Sequence, residues 1–432
     1  MSHRADNPVP PRIRRRLWVV VAIMFVATVA GMVVLWPSGE PLAGTEDLRL
    51  IEEVHDASVV STGEVPCPGT LPEQEIICPI VEVRLLAGPD AGEEATAPLP
   101  QAFADAGLEA GDRVVMGVNE GAPDDQKYTL LDRDRQSILL ILAGVFALAV
   151  VVMGGLRGSA AIVGLAASLA VLLAFVLPAI LEGRSPIWVA IVGASAIAFL
   201  ALFAAHGFTP MTAVALLGTL GALALTAGLA ALFVALAEIT GVASEEASLV
   251  SFGAAQIDIR GLILAGVVLG GLGAIDDMTV TQASAVWELR AAGPGLSDRL
   301  LFRAAMRIGR DHVASTVNTL ALAYAGASMP LLVLFVLSGQ SLGAVANSEV
   351  VATEIVRTLV GSIGLVAAVP LTTWLASRAV PRSVELAPGG VDVEEGTEGL
   401  APPAPGPAAA AAGAAAAADP DVDPDRDFWK GI

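Results

Sequence analysis

Eight stretches of this 432-residue chain stay apolar for about 20 residues, and no other feature constrains the fold so tightly. They run approximately over residues 17–36, 138–156, 160–181, 187–205, 210–237, 261–287, 312–337 and 356–377. A helix rising ~1.5 Å per residue needs about that length to cross ~30 Å of hydrocarbon. With 55% hydrophobic and 16% charged residues, the chain is too apolar for a water-soluble globule of this size. The expected fold class is an all-α polytopic membrane helix bundle of about eight spans, with one small extracytoplasmic β-rich domain and a disordered C-terminal tail. Ser185 before Pro186 and Thr209 before Pro210 place a capping hydroxyl ahead of a proline at the first helical position. Pro178, Pro330 and Pro370 predict kinks within or near the ends of spans.

The formal charge of −20 is concentrated in two polar blocks. Residues 37–137 hold 21 acids and 6 bases, and residues 383–432 hold 10 acids and 2 bases. What remains has 16 bases against 13 acids, a balance that does not favour nucleic acid as a partner. Arginine then sets the orientation, because basic residues stay with cytoplasmic loops. Arg12, Arg14, Arg15 and Arg16 put a basic segment, residues 1–16, inside. Alternation makes the connections with Arg157, with Arg290 to Arg310, and with Arg378 and Arg382 cytoplasmic as well. Arg184, Arg260 and Arg357 fall in outside connections beside Glu182, Glu245, Glu246, Glu349 and Glu354. Both termini are therefore expected in the cytoplasm. A seven-span alternative treats the first stretch as a cleaved signal peptide. Its length and its end at Leu35-Trp36-Pro37, without an Ala-x-Ala site, favour an uncleaved anchor over residues 17–36.

Residues 37–137 are thus expected outside the membrane, with a seven-helix membrane domain following over 138–380. Alternating runs at 80–85 and 113–118 read as strands of a barrel-like β domain. Cys67 and Cys78, the only two cysteines, are expected to form a disulfide that stabilises this small core, with two buried thiols as the alternative. The Ala/Pro-rich acidic segment 381–432 reads as a disordered cytoplasmic tail.

Chemistry-bearing residues concentrate in two places. In the sixth stretch, Asp276 and Asp277 follow fifteen apolar residues, and Asp277, Thr281, Ser284 and Glu288 share one helix face. Gly266 and Gly270 form a GxxxG that permits close helix contact. Charge within the bilayer is costly, so the pair is expected in the inner half of the membrane, facing a polar or watery interior. The other reading stops the span at Ile275 and makes the aspartates an interfacial cap. The next stretch opens with Asp311, His312, Ser315, Thr316, Asn318 and Thr319. If the two helices pack, Asp276, Asp277, Asp311 and His312 converge, with chemistry suited to a proton or a hard cation. The competing reading is a hydrogen-bonded seam that only fixes helix register. Between them, Ser297 can cap a helix in which Arg299, Arg303, Arg307 and Arg310 form a basic stripe opposite Leu301, Phe302, Ala305 and Ile308. That pattern suits an amphipathic helix on anionic lipid, or simply a topological signal. His206 reads as a surface histidine in a cytoplasmic turn.

Neither Lys127 nor Lys430, the only lysines, lies in a phosphate-cradling loop, and no His-Glu-x-x-His or Gly-x-Ser-x-Gly occurs. No cofactor and no enzymatic activity are expected, and no metal is assigned. An intramembrane aspartyl protease fits poorly, because two residues separate Gly271-Leu272-Gly273 from Asp276.

Gly273-Ala274-Ile275-Asp276-Asp277-Met278-Thr279-Val280-Thr281-Gln282-Ala283-Ser284 and the run Gly309 to Thr319 resemble the YibE/F-like family of bacterial membrane proteins. Weaker similarity covers Arg157-Gly158, Gly207 to Gly221 and Tyr128 to Arg135. The resemblance implies a multi-pass protein of the bacterial cytoplasmic membrane. The expected function is a permease or secondary transporter of a proton, cation or small solute, using the intramembrane carboxylates. The alternative is a non-transporting envelope protein whose outer domain binds a partner; apart from the lipid bilayer, the sequence names no partner.

Overall fold

The computed structural model describes residues 9–39, 53–66, 77–119, 121–123, 126–253 and 257–381. The expected tail lies outside the described residues. Helix α1, Pro11–Leu35, leads to five antiparallel strands, β1 Glu53–Pro66, β2 Ile77–Leu85, β3 Glu94–Pro98, β4 Arg113–Val118 and β5 Tyr128–Arg133, with a short helix α2, Gln101–Asp105, between β3 and β4. Their order in the sheet is β3-β2-β1-β4-β5, and the edge strands β3 and β5 approach each other. That is the connectivity of a five-stranded, partly open Greek-key barrel. Alternate residues point inward, so Val81, Val83, Val114 and Met116 are fully buried. The Asp90 carboxylate accepts from Lys127 Nζ at 2.8 Å and from the Tyr128 hydroxyl at 2.6 Å, and these bonds hold its pKa below the ordinary value. Cys78, on β2, is disulfide-bonded; Cys67 lies outside the described residues.

The remaining helices are α3 Gln136–Val171, α4 Leu177–Leu181, α5 Pro186–His206, α6 Pro210–Leu236, α7 Glu245–Gly253, α8 Ile259–Ala292, α9 Asp298–Ala327, α10 Met329–Leu337, α11 Leu342–Asn347 and α12 Glu349–Ala379. A π-helical turn, Leu172–Val176, joins α3 to α4. Thr209 caps α6 by accepting from the Thr212 N–H, and Ser297 caps α9 through the Leu300 N–H. Among the described residues, six helical segments are long and apolar enough to cross a membrane, and the pair α9 and α10, bent by 62°, would make a seventh. One of the six is the 46-residue run 136–181, about twice the length of a span. It is not straight. Gly155 has φ 55° and ψ −135°, and a side chain at Gly158 would collide with the Val150 carbonyl and lie 3.3 Å from Val151 Cα. Eight residues of straight helix would hold those positions about 12 Å apart, so the chain reverses here. The two apolar stretches read from the sequence are joined at Gly155 instead of ending near residue 156.

Helices α6, α8 and α12 form the centre, where Ala222, Ile275, Leu365, Ala368 and Val369 pack with almost no exposure. Two boundaries differ from expectation. Residues 298–327 make one helix rather than a surface helix followed by a span. Its apolar residues Leu301 and Ala305 are buried against Val214, Val286 and Ala376, so they meet protein, while Arg299, Arg303, Arg307 and Arg310 are exposed on the other side. Glu349, Glu354 and Arg357 belong to α12 rather than to a connection. The described tryptophans also mark levels. Trp18, about two turns into α1, and Trp36, just past its end, lie about 27 Å apart, stacked on Phe203 and Phe175 respectively. Trp188 opens α5, and Trp287 and Trp374 lie near the ends of α8 and α12. Aromatic belts at a bilayer's two surfaces have this spacing, and the chain is a membrane protein.

The reversal gives a test. Gly158→Val is expected to cost about 2 kcal/mol or more by forcing the Val150 backbone away, whereas Gly154→Val, whose side chain meets nothing within 4 Å, is expected to be silent. Thermal unfolding of the two purified variants in detergent, compared with the parent chain, checks this difference.

Candidate functional site

Asp276 and Asp277 lie midway along α8, about 25 Å from its first residue, and the helix continues fifteen residues past Asp277. The helix runs unbroken from Ile275 to Ala292, so the aspartates do not sit at a helix end. The two carboxylates point differently. Asp276 is largely enclosed and accepts a hydrogen bond from Thr219 on α6 at 3.1 Å, while Asp277 is exposed. Thr219 in turn is 2.7 Å from the Thr279 hydroxyl, which also donates to the Asp276 carbonyl at 2.9 Å. Neither aspartate has an ion pair among the described residues.

This bond depends on close helix packing. Thr212, Thr219 and Thr226 recur every seven residues on α6, about two turns apart, so all three face the same way and are buried. A Cβ on Gly218 would strike Thr372 on α12, and one on Gly364 would strike Thr226. These glycines allow α6 and α12 to approach until hydroxyls meet. One turn further along α8, Gln282 is fully buried and donates to the Ala305 carbonyl at 2.9 Å and to Thr373 at 2.7 Å. Gln282 Oε1 and Thr372 Oγ1 are buried without a hydrogen-bond partner among the described residues. This seam was missed from the sequence, although three threonines at heptad spacing in an otherwise apolar helix were the available signal.

On its other side the acidic pair faces a cleft of about 500 Å³ between α8, α5 and the second half of α3. A Cβ on Gly164 would lie 3.5 Å from Ala201 Cα on α5, so α3 and α5 pack closely beside the cleft. The lining is mostly apolar, with Leu165, Leu169 and Leu272, and its polar groups are Ser168, His206, Asp276 and Asp277. His206 thus lines the site instead of lying on a surface turn. It ends α5, and the three-residue turn before α6 holds it at that helix end.

The expected convergence with α9 does not occur. Asp311 and His312 are exposed on α9 and are absent from the cleft lining, because the face of α9 that meets α8 and α12 is the one with Leu301, Ala305 and Gly309. Asn318 is exposed with them. Thr281, Ser284 and Glu288 do share a partly exposed face with Asp277, and Thr281 returns its hydroxyl to the Asp277 carbonyl at 2.8 Å. Gly266 and Gly270 receive side chains instead of a helix backbone: a Cβ there would lie 3.5 Å from the Arg357 guanidinium and 2.8 Å from the Tyr324 hydroxyl. Among the described residues no three His, Cys, Asp or Glu side chains gather in a way that could hold a metal ion. Two carboxylates at one level, one hydrogen-bonded and one open to a cleft, are suited to taking up and releasing a proton or a weakly held cation.

The cleft predicts a reactivity pattern. Gly273→Cys, at an open position on the lining, is expected to react with a small water-soluble thiol reagent at least about tenfold faster than Thr279→Cys, which is fully buried. Mass spectrometry of labelled protein measures both rates.

Neither the curated proteins nor the solved structures contain a match to this chain. The family model for YibE/F-like protein matches residues 142–382, which takes in the reversal at Gly155, the cleft and both aspartates, and the chain therefore belongs to the YibE/F-like family.

Proposed function

We propose that the chain is a permease or secondary transporter in which Asp276 and Asp277 bind the coupling ion, a proton or a monovalent cation. One observation carries the reading: an acidic pair midway along an apolar helix, ten residues or about 15 Å from the tryptophan that marks one membrane surface, opens on a cleft. Half the thickness of the hydrocarbon layer is also about 15 Å, which supports a place for the pair well inside the membrane. Transporters place sites at that depth, on helices that approach closely through small residues. With the run 136–181 counted as two spans and α9 with α10 as one, the chain has eight spans, α1 and seven in the membrane domain. Arginine bias then puts both termini in the cytoplasm of a bacterial cell and the β domain outside.

Asp276 is the positioned member, held by Thr219, and Asp277 the open one that exchanges with the cleft. His206 and Ser168 lie on the exit path. Protein reconstituted in liposomes with a pH-sensitive or cation-sensitive dye is expected to lose at least about tenfold of its ion flux in Asp276→Asn and in Asp277→Asn, and to keep most of it in Glu288→Gln. Flux unchanged in both Asn variants would end this reading. If deletion of residues 40–135 then abolished function while both Asn variants stayed silent, a partner-binding role for the outer domain would replace it.

A further inference from the structure

Beyond Gly309, α9 carries a polar face that no part of the described structure covers. The helix buries Leu301, Ala305 and Gly309, and the opposite side leaves Arg307, Arg310, Asp311, Ser315 and Asn318 exposed. Thr316 and Thr319 satisfy their hydroxyls on their own helix, donating to the carbonyls of His312 at 2.8 Å and Ser315 at 3.0 Å. Asp311, Ser315 and Asn318 make no side-chain hydrogen bond or ion pair among the described residues.

Depth turns this into a constraint. Helices α8 and α9 run antiparallel, with Gln282 against Ala305 and Gly309 and with Gly270 against Tyr324. That register puts Asp311 near Thr279 and Asn318 near Gly273, so Asn318 is about 20 Å along α8 from Trp287. Water near the headgroups does not reach an amide at that depth, and lipid tails offer it no hydrogen bond.

We propose that this face of α9 is the contact of a homodimer, formed with α9 of a second copy across a two-fold axis along the membrane normal. A second copy fits better than an unrelated helix, because the face is complementary to itself. Copies inserted in the same direction bring like residues to one depth. An amide is both donor and acceptor, so Asn318 of each copy satisfies the other, as a buried Asn pair does in a parallel coiled coil. Arg307 and Arg310 lie within about one turn of Asp311, so basic and acidic groups of each copy meet their opposites twice, as a two-fold contact requires. Ala314 and Ala325 on the same side let the backbones approach. The inference is independent of any ion handling at Asp276.

The test uses the full chain in its native membrane. Ser315→Cys is expected to cross-link to a species of twice the mass on mild oxidation, whereas Leu225→Cys, partly exposed on α6, and the parent chain are not. In single-molecule counting on sparsely loaded liposomes, Asn318→Leu is expected to weaken association roughly tenfold and Asn318→Gln to preserve it. Monomers at every loading, cross-linking of Ser315→Cys only to a protein of another mass, or equal association for the Leu and Gln variants would each overturn the proposal.

Discussion

The hydrogen bond from Thr219 to Asp276 holds the arrangement together, because it joins a carboxylate in an apolar helix to the neighbouring helix at the point of closest packing. A charge or an unpaired oxygen at that depth is costly, and one hydroxyl on a rigid helix answers part of the cost. For that hydroxyl to arrive, α6 must lie against both α8 and α12, which requires Gly218 where Thr372 enters and Gly364 where Thr226 enters. The tight centre of the bundle and the position of the acidic group are one packing solution. Asp277, one residue on, is rotated by about 100° and leaves that centre for the cleft. Adjacent carboxylates on a helix therefore occupy different surroundings for a purely geometric reason.

The long helices were legible in the sequence because hydrocarbon thickness fixes their length, and the strands at 80–85 and 113–118 because a half-buried sheet imposes alternation. Which helix faces which was not legible. Asp311 and His312 looked like neighbours of Asp276 on spacing alone. They are not, since Leu301, Ala305 and Gly309 compete for the same contact and pack more closely, turning the polar residues outward. Gly266 and Gly270 read as a helix-docking motif, yet the space they leave holds the Arg357 guanidinium and the Tyr324 hydroxyl. A GxxxG describes room, not its occupant. His206 was misplaced because three residues of turn say nothing about what lies across the helix end.

Arg357 illustrates how α12 tolerates charge. It pairs with Glu354 at 2.6 Å, one turn earlier, and its guanidinium lies over Gly266 of α8. The nearby pocket of about 270 Å³ is lined by Glu349, Glu354, Arg357 and Thr353. It belongs to the start of α12, and the lining of the larger cleft at Asp277 includes no residue of α12. Between the two levels α8 carries Leu264, Ala265, Val267 and Val268, all buried. The polar space at the start of α12 and the polar space beside Asp277 are thus separated by a packed apolar layer.

Charged groups add further ties at the helix ends. Glu182, after α4, accepts from the Ser38 and Gly39 N–H groups at 2.7 and 2.6 Å, bonds that hold its pKa below the ordinary value. Glu349 accepts from the Thr240 N–H at 2.8 Å and from its hydroxyl at 2.8 Å, joining the start of α12 to the turn after α6. Arg290, fully buried, closes the turn between α8 and α9 by pairing with Asp298 at 2.9 Å and donating to the Leu296 carbonyl. Charge-assisted bonds of this kind are strong and directional. In the middle, glycine, alanine and threonine allow the helices to pack closely.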